Sequence, residues 1–276
     1  MTIKSILHAY SGEQDEGSSL DFAIKAAQHY DAWIAGIVRH GYSKMERRIA
    51  TIVSEEVHQA VQSAEQKRIR EITSRFHETV NAAGLGERSS FIDIEPHMMM
   101  SISEIARCYD LVITGNHPED EQYEFLAAYP DRIALQSGRP VIVVPDGFKA
   151  KGPARKVLVA WDGKRTIARA VGDAMAMLEL GVQVTLLTVG ASHTVDQHPD
   201  GGIMGLLARH DVEANHLHDR GTGRSVAETI VQTADELAVD LIIMGAYEHS
   251  KFSQDIFGGV TTEMLRSVHA PVFMAH

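Results

Sequence analysis

Short apolar runs rich in Val and Ile recur along this chain, and stretches with a helical apolar period separate them. Several runs are apolar on both faces, which is typical of buried parallel strands. The runs are residues 3–10, 32–38, 91–94, 111–114, 141–145, 156–161, 182–189, 212–217, 241–244 and 272–275. The helical stretches are 20–30, 101–108, 166–180 and 225–237. This alternation predicts right-handed βαβ units around a mostly parallel sheet.

The two halves of the chain repeat each other. The segment YDLVITGNH at 109–117 corresponds to VDLIIMGAY at 239–247, and ILHAYSG at 6–12 corresponds to VLVAWDG at 157–163. The closing segments GRPVIVVPD and HAPVFMAH also match. A stretch rich in Gly, Lys and Pro, GFKAKGPA, lies between the halves and has no apolar period. The repeat predicts two tandem α/β domains, residues 1–147 and 154–276.

Composition narrows the classes of partner. The chain has 26 Lys and Arg residues against 37 Asp and Glu residues, a formal charge of −11. This acidic balance argues against binding to nucleic acid or to an anionic membrane surface. We find no signal peptide and no apolar run long enough to span a bilayer. With Cys108 as the single cysteine, we expect a cytoplasmic protein and interpret that thiol as an inert core group.

The last segment of the chain carries a recognisable motif. Residues 244–276 read MGAYEHSKFSQDIFGGVTTEMLRSVHAPVFMAH, and the second half opens with VLVAWDG. The first segment resembles the final βαβ unit of the universal stress protein family, and the second resembles the family's first strand, which ends in Asp-Gly. The resemblance covers essentially the whole chain as a tandem pair. It implies that each half is a doubly wound domain with a five-stranded, mostly parallel sheet of order 3-2-1-4-5.

The resemblance also implies an adenine-nucleotide site in the second half, with ATP and Mg²⁺ as the candidate ligands. Asp162 and Gly163 would contact the adenosine, and Val189 would line the adenine. The phosphates would lie against the loop that contains Gly245, His249, Ser250, Gly258, Gly259, Val260 and Thr261. The chemistry is sound, because glycine permits close backbone approach and a helix start offers free N–H groups to an anion.

Departures from the family pattern G-x2-G-x9-G-[S/T] weaken that site. Glu248 stands where the second glycine belongs, and Gly259 stands where a hydroxyl is typical. The first half departs further, because Ser11 replaces the aspartate and Ala127-Ala128 replace the glycine pair. Four carboxylates also fill its loop, namely Glu119, Asp120, Glu121 and Glu124. We therefore expect the first half to be structural, or to bind something uncharged or cationic.

These features favour a stress-response factor that acts by binding and regulation, with no catalytic residue assigned. One alternative is a Mg²⁺-dependent nucleotide hydrolase or phosphotransferase that uses Asp162. Another is a ligand-free interaction module that presents residues 43–83, which are charged and lack Gly and Pro. That stretch predicts one long covering helix or two shorter ones.

Two further groups of residues have structural interpretations. Three consecutive methionines, Met98 to Met100, are interpreted as core filling. The histidines beside acidic residues (His216 and His218 with Asp219, and His193 and His198 with Asp196 and Asp200) match no zinc spacing, so we interpret them as surface residues.

Self-association is predicted at the last strand of each half. Residues 141–145 and 272–275 are sheet edges, and unpaired edges favour strand pairing. In family dimers these edges meet. A tandem chain would form this contact internally as a pseudo-dimer, and two chains would then associate further. A separate protein partner is expected, but its identity is unknown.

Overall fold

The computed structural model describes residues 2–11, 17–39, 55–95, 98–116, 128–178, 181–190, 200–221, 223–246 and 259–276. In the first half the elements are β1 (Ser5–Ala9), α1 (Ser18–Tyr30), β2 (Trp33–Arg39), α2 (Glu55–Ala82), β3 (Ser89–Ile94), α3 (Ile102–Ala106), β4 (Leu111–Gly115), α4 (Pro130–Ser137) and β5 (Val141–Val144). In the second half they are β6 (Lys156–Ala160), α5 (Arg165–Leu178), β7 (Gln183–Val189), α6 (Gly202–Arg209), β8 (Ala214–Asp219), α7 (Val226–Leu237), β9 (Leu241–Gly245), α8 (Val260–Ser267) and β10 (Val272–Ala275).

The ten strands of the described residues form one sheet of order β3-β2-β1-β4-β5-β10-β9-β6-β7-β8. Within each half the order is 3-2-1-4-5 with parallel neighbours, which confirms the predicted fold class. At the centre β5 and β10 pair antiparallel, with Val143 opposite Val272. Because of this antiparallel joint, the carboxyl ends of the strands point to opposite ends of the sheet in the two halves.

Two apolar layers cover the sheet. On one face, β-strand residues pack with Leu20 and Ile24 of α1, Phe76 of α2 and the inner sides of α5 and α6. On the other face they pack with α3, α4, α7 and α8, through residues such as Ile133 and Met264. The strands are apolar on both faces because both faces are covered, as the sequence pattern predicts.

The helices agree with the sequence analysis except at α6. Helix α6 was not predicted, because it is short and contains Gly202 and Gly205. The stretch 43–83 contains α2, which spans 28 residues, and residues 43–54 lie outside the described residues. Within the described residues, no helix is long and apolar enough to cross a membrane.

Two interpretations of apolar residues were wrong. Cys108 is exposed in the turn after α3 and is not a core thiol. Met98, Met99 and Met100 are also exposed, Met99 to 98 %. They belong to the connection between β3 and Ser101, the N-cap of α3, and such a connection runs over the surface where no sheet face is available to it.

Candidate functional site

In the second half, the ends of β6, β7 and β9 lie side by side, because β6 pairs with both of the other strands. This places Asp162, Val189 and Gly245 at the edge of the sheet that is formed by the carboxyl ends of the strands, where open α/β sheets bind ligands. Helix α8 begins near this edge with Gly259 as its N-cap. The topology therefore brings together the described members of the predicted site.

Asp162 lies in the turn that follows β6. Its Oδ1 atom accepts a hydrogen bond of 3.1 Å from the backbone N–H of Lys164, and its Oδ2 atom lies 3.5 Å from the Lys164 ammonium. Gly163, between them, has a φ of 76°, a left-handed conformation that favours glycine. The Asp162 side chain is 52 % exposed, so its carboxylate retains room to accept hydrogen bonds from a ligand.

Gly245 ends β9 and lies against the first turn of α5. A Cβ atom at this position would be 2.7 Å from the backbone nitrogen of Ile167, and it would also overlap Thr166. Glycine is therefore required here so that β9 can approach α5. The family resemblance implied approach to a phosphate at this residue, whereas the described contact is between strand and helix.

The start of α8 is accessible from solvent. Gly259 is exposed and extended, with a φ of −158°, and no side chain caps the helix there. Val260 is exposed as well, whereas Thr261 is buried. Glu263, in the same turn, accepts a 2.7 Å hydrogen bond from the hydroxyl of Ser225, the N-cap of α7. The N-terminal end of α8, where the first N–H groups and the helix dipole favour negative charge, lies beside this link.

Val189, at the end of β7, is half-buried beside the loop that follows β8. A Cβ atom on Gly221 would lie 3.4 Å from its Cγ1 atom. The next residue, Gly190, donates a hydrogen bond to the Asp219 carbonyl at 2.8 Å, and its own carbonyl lies 2.7 Å from Nε2 of His218. Val189 thus supplies an apolar surface at the site, and contacts between the ends of β7 and β8 fix its position.

Some predicted residues lie outside the described residues. These are His249, Ser250 and Gly258, together with Glu248 of the altered motif. The candidate histidines His193 and His198 also lie outside them.

No group of three His, Cys, Asp or Glu side chains suited to a metal occurs among the described residues. Two of the candidate ligands have other partners. The Nε2 atom of His216 lies 3.0 Å from the Thr188 hydroxyl, and Asp219 accepts hydrogen bonds from Gly221 and Arg224. The contact of His216 depends on the neighbouring strand β7, whereas the partners of Asp219 lie in the loop that follows β8.

The corresponding edge of the first half is closed. The N–H of Ala128, just before α4, donates a 2.7 Å hydrogen bond to the carbonyl of Tyr10, just after β1. From the other side, Arg68 of α2 donates to the Tyr10 hydroxyl at 3.1 Å. Ser11 and Ala128 are each 1 % exposed. Among the described residues, the end of β1 is thus hydrogen-bonded directly to the residue just before α4, and α2 contacts Tyr10 from the other side.

Comparisons with known proteins agree with this architecture. Residues 153–276 match the sequence model described as the universal stress protein family. A universal stress protein of Synechocystis sp. is 26 % identical over 174 residues, which cover 59 % of this chain and 57 % of the relative. A universal stress protein structure from Archaeoglobus fulgidus superimposes with a TM-score of 0.70 at 14 % identity, covering 98 % of this chain and 95 % of that one. A putative universal stress protein from Pseudomonas aeruginosa gives a TM-score of 0.57 at 16 % identity, covering 99 % and 93 %.

Proposed function

We propose that this chain, whose residues 153–276 belong to the universal stress protein family, is a cytoplasmic stress-response factor that binds an adenine nucleotide in its second half. It acts by binding and regulation, without turnover. The matched stretch covers little more than half of the curated relative, so activity and partners are part of this proposal.

One observation carries the assignment to the second half. The strand ends there are accessible, with Asp162 52 % exposed and Gly259 exposed, whereas Ser11 and Ala128 at the equivalent places of the first half are buried. A ligand that binds beyond the strand ends needs this space. The first half offers none between Tyr10 and Ala128, which are hydrogen-bonded directly to each other.

The described residues fit a nucleoside and one phosphate. Asp162 would accept hydrogen bonds from ribose hydroxyls, Val189 would pack against the base, and the start of α8 would bind an anionic oxygen. Lys164 lies beside Asp162 and adds positive charge. The fit to a triphosphate is poorer, because Glu248 replaces a glycine of the family pattern and Gly259 offers no hydroxyl.

Two alternatives from the sequence remain predictions. A Mg²⁺-dependent hydrolase needs carboxylates that hold the metal, and the described residues contain no group of three metal-binding side chains. A ligand-free interaction module predicts that no nucleotide changes the stability of the chain. The pairing of β5 with β10 occupies the last strand of each half, so association of two chains would need another surface.

Thermal unfolding with ATP, ADP and AMP, each with Mg²⁺, tests the proposal. A ligand at about 100 times its dissociation constant adds roughly 2.7 kcal/mol to the free energy of unfolding, which raises the Tm by a few degrees. We expect the largest shift with AMP or ADP and a smaller one with ATP. Calorimetric titration should give one nucleotide per chain.

Asp162→Asn should abolish the nucleotide-dependent shift, because an amide cannot replace both acceptor oxygens. Asp235→Asn is the matched control, since Asp235 is exposed near the carboxyl end of α7, at the far edge of the sheet. The proposal fails if no nucleotide at millimolar concentration raises the Tm. A stoichiometry of two nucleotides per chain would contradict the closed edge of the first half.

A further inference from the structure

His8 lies in the middle of β1, inside the core of the first half. It is 7 % exposed, and its strand neighbours are Gly36 of β2 and Ile113 of β4. In the matching segment of the second half, Val159 takes this place and is fully buried. The fold therefore accepts an apolar side chain at this position, so packing alone does not explain why the first half has a histidine there.

Two helices meet at His8. Its Nε2 atom lies 2.9 Å from the hydroxyl oxygen of Ser19 on α1. Its ring stacks with Phe76 of α2, with 6.4 Å between ring centroids and 19° between the planes. Phe76 and Phe91 of β3 together fill the space that Gly36 leaves without a side chain, because a Cβ there would lie 2.8 Å from the Phe76 ring and 2.5 Å from the Phe91 ring. The His8–Phe76 stack is thus one contact between α2 and the sheet, beside the contact of Phe76 with Phe91 of β3, whose ring centroids are 5.3 Å apart.

The surroundings of His8 disfavour a charged imidazole. Burial lowers the pKa of His8 to about 4 from its ordinary value of 6.5. Its neighbours on β2 and β4 carry no charge, and α1 presents the neutral Ser19. On the side of α2, the nearby ionisable groups are Arg68 beside Tyr10, Arg75 beside Gly17 and His77 at the edge of Phe76; Glu71 of the same helix pairs with Arg68 at 3.8 Å. Among the described residues, none of these contacts brings a carboxylate to the ring.

Few apolar residues attach α2 to the sheet. Of its 28 residues, Ile69, Phe76 and Val80 are buried hydrophobics, and most of the remainder are exposed or half-buried. Segments with few buried contacts open before the whole domain unfolds. The segment of α2 around Phe76 is therefore the part of the first half whose opening would give water access to His8.

We propose that His8 is a proton-operated latch: when its imidazole takes up a proton, α2 separates from the first half of the sheet while the second half stays folded. The closed form holds His8 neutral, and the open form lets it titrate normally. Acid therefore favours the open form. The stabilisation of the closed form by neutral His8 is complete above about pH 6.5 and decreases as the pH falls toward 4. Opening exposes the apolar side of α2 and the sheet beneath it.

Hydrogen exchange measured by mass spectrometry on the full chain tests this latch. Between about pH 7.5 and pH 4.5, the difference between the two pKa values predicts an increase of about 70-fold in the opening of α2. The comparison is with His8→Val, which copies the second half, at the same pH, so that intrinsic exchange rates cancel. We expect peptides from residues 69–82 to exchange faster in the natural chain than in His8→Val at the acidic pH only.

A second variant separates titration from the loss of a hydrogen bond. His8→Val combined with Ser19→Ala leaves no unpaired hydroxyl and should also be insensitive to acid. Peptides of α5 report on the second half and should keep their protection. Equal acid-induced exchange of α2 in the natural chain and in both variants would overturn the latch, as would simultaneous loss of protection in α2 and α5.

Discussion

The ends of β1 and β6 occupy equivalent places in the two halves but have different surroundings. After β1, Ser11 is buried and Tyr10 is hydrogen-bonded to Ala128. After β6, Asp162 is half exposed, and the residue equivalent to Ala128, Gly259, is open to solvent. One strand order thus supports a closed edge and an open one. The two edges differ in the residue that follows the strand, Ser11 or Asp162, and in the residue that precedes the last helix of each half, Ala128 or Gly259.

The outer helices show the same contrast. Helix α2 spans 28 residues, reaches Tyr10 through Arg68 and places Phe76 over a glycine of β2. Its counterpart α6 spans 8 residues and buries Ile203 and Leu207. The longer helix covers the closed half and the shorter one flanks the open half. The longer covering helix therefore belongs to the half in which Ser11 occupies the place of Asp162.

Phe76→Ala should give the largest effect on this comparison. Removing a buried phenylalanine typically costs 3–5 kcal/mol of unfolding free energy, because a cavity remains. We expect about 3 kcal/mol or more, measured by urea unfolding. Thr79→Ala on the exposed side of α2 is the control and should change stability by less than about 0.5 kcal/mol. A small effect of Phe76→Ala would mean that α2 does not stabilise the first half.

The fold could be predicted from the sequence because its strands are apolar runs between helical patterns. The repeat of ILHAYSG as VLVAWDG and the two matched Gly-containing segments fixed the strand order through the family resemblance. The positions of Asp162 and Gly259 at one edge follow from that order. The strands and helices follow from local patterns, whereas the strand order came from the family resemblance.

Features that depend on packing were not predictable. The apolar character of Met99 and Cys108 suggested burial, but the connection that carries them runs over the surface. Gly245 is explained by contact with α5, which no pattern within β9 reveals. The burial of His8 likewise results from α1 and α2 meeting over β1, far apart in sequence.

A matched pair of aspartates extends the comparison to the amino ends of the strands, just before β4 in the first half and just before β9 in the second. The Oδ2 atom of Asp110 accepts hydrogen bonds of 2.9 Å from the backbone N–H groups of Lys4 and Ser5 and from the Ser5 hydroxyl. Asp240 accepts hydrogen bonds of 2.9 and 3.0 Å from the N–H groups of Arg155 and Lys156. Replacing either aspartate with alanine should cost about 1–3 kcal/mol, more for Asp110, which loses an additional hydroxyl partner.

The pH dependence of the unfolding free energy gives a second test of Asp110. Burial alone would raise the pKa of Asp110, but the hydrogen bonds from Lys4 and Ser5 outweigh it and hold that pKa below 3.8. The charged carboxylate thus stabilises the fold above about pH 4, and this stabilisation is lost as the pH falls below that value. In Asp110→Ala, the unfolding free energy should depend less on pH below about pH 4. An unchanged dependence would contradict the assignment.

The smallest expected difference lies in two matched helix caps. Ser101 and Ser225 each form a capping box, at α3 and α7 respectively. Replacing an N-cap serine with alanine costs about 1 kcal/mol. We expect Ser225→Ala to cost more than Ser101→Ala, because the Ser225 hydroxyl donates to Glu263 and so links α7 to the start of α8 at the open edge, whereas the Ser101 hydroxyl donates to Glu104 within its own helix. Urea unfolding of both variants measures the difference, and Ser225→Ala should also weaken any nucleotide-dependent rise in Tm. Equal losses in the two variants would show that this link contributes nothing to the open edge.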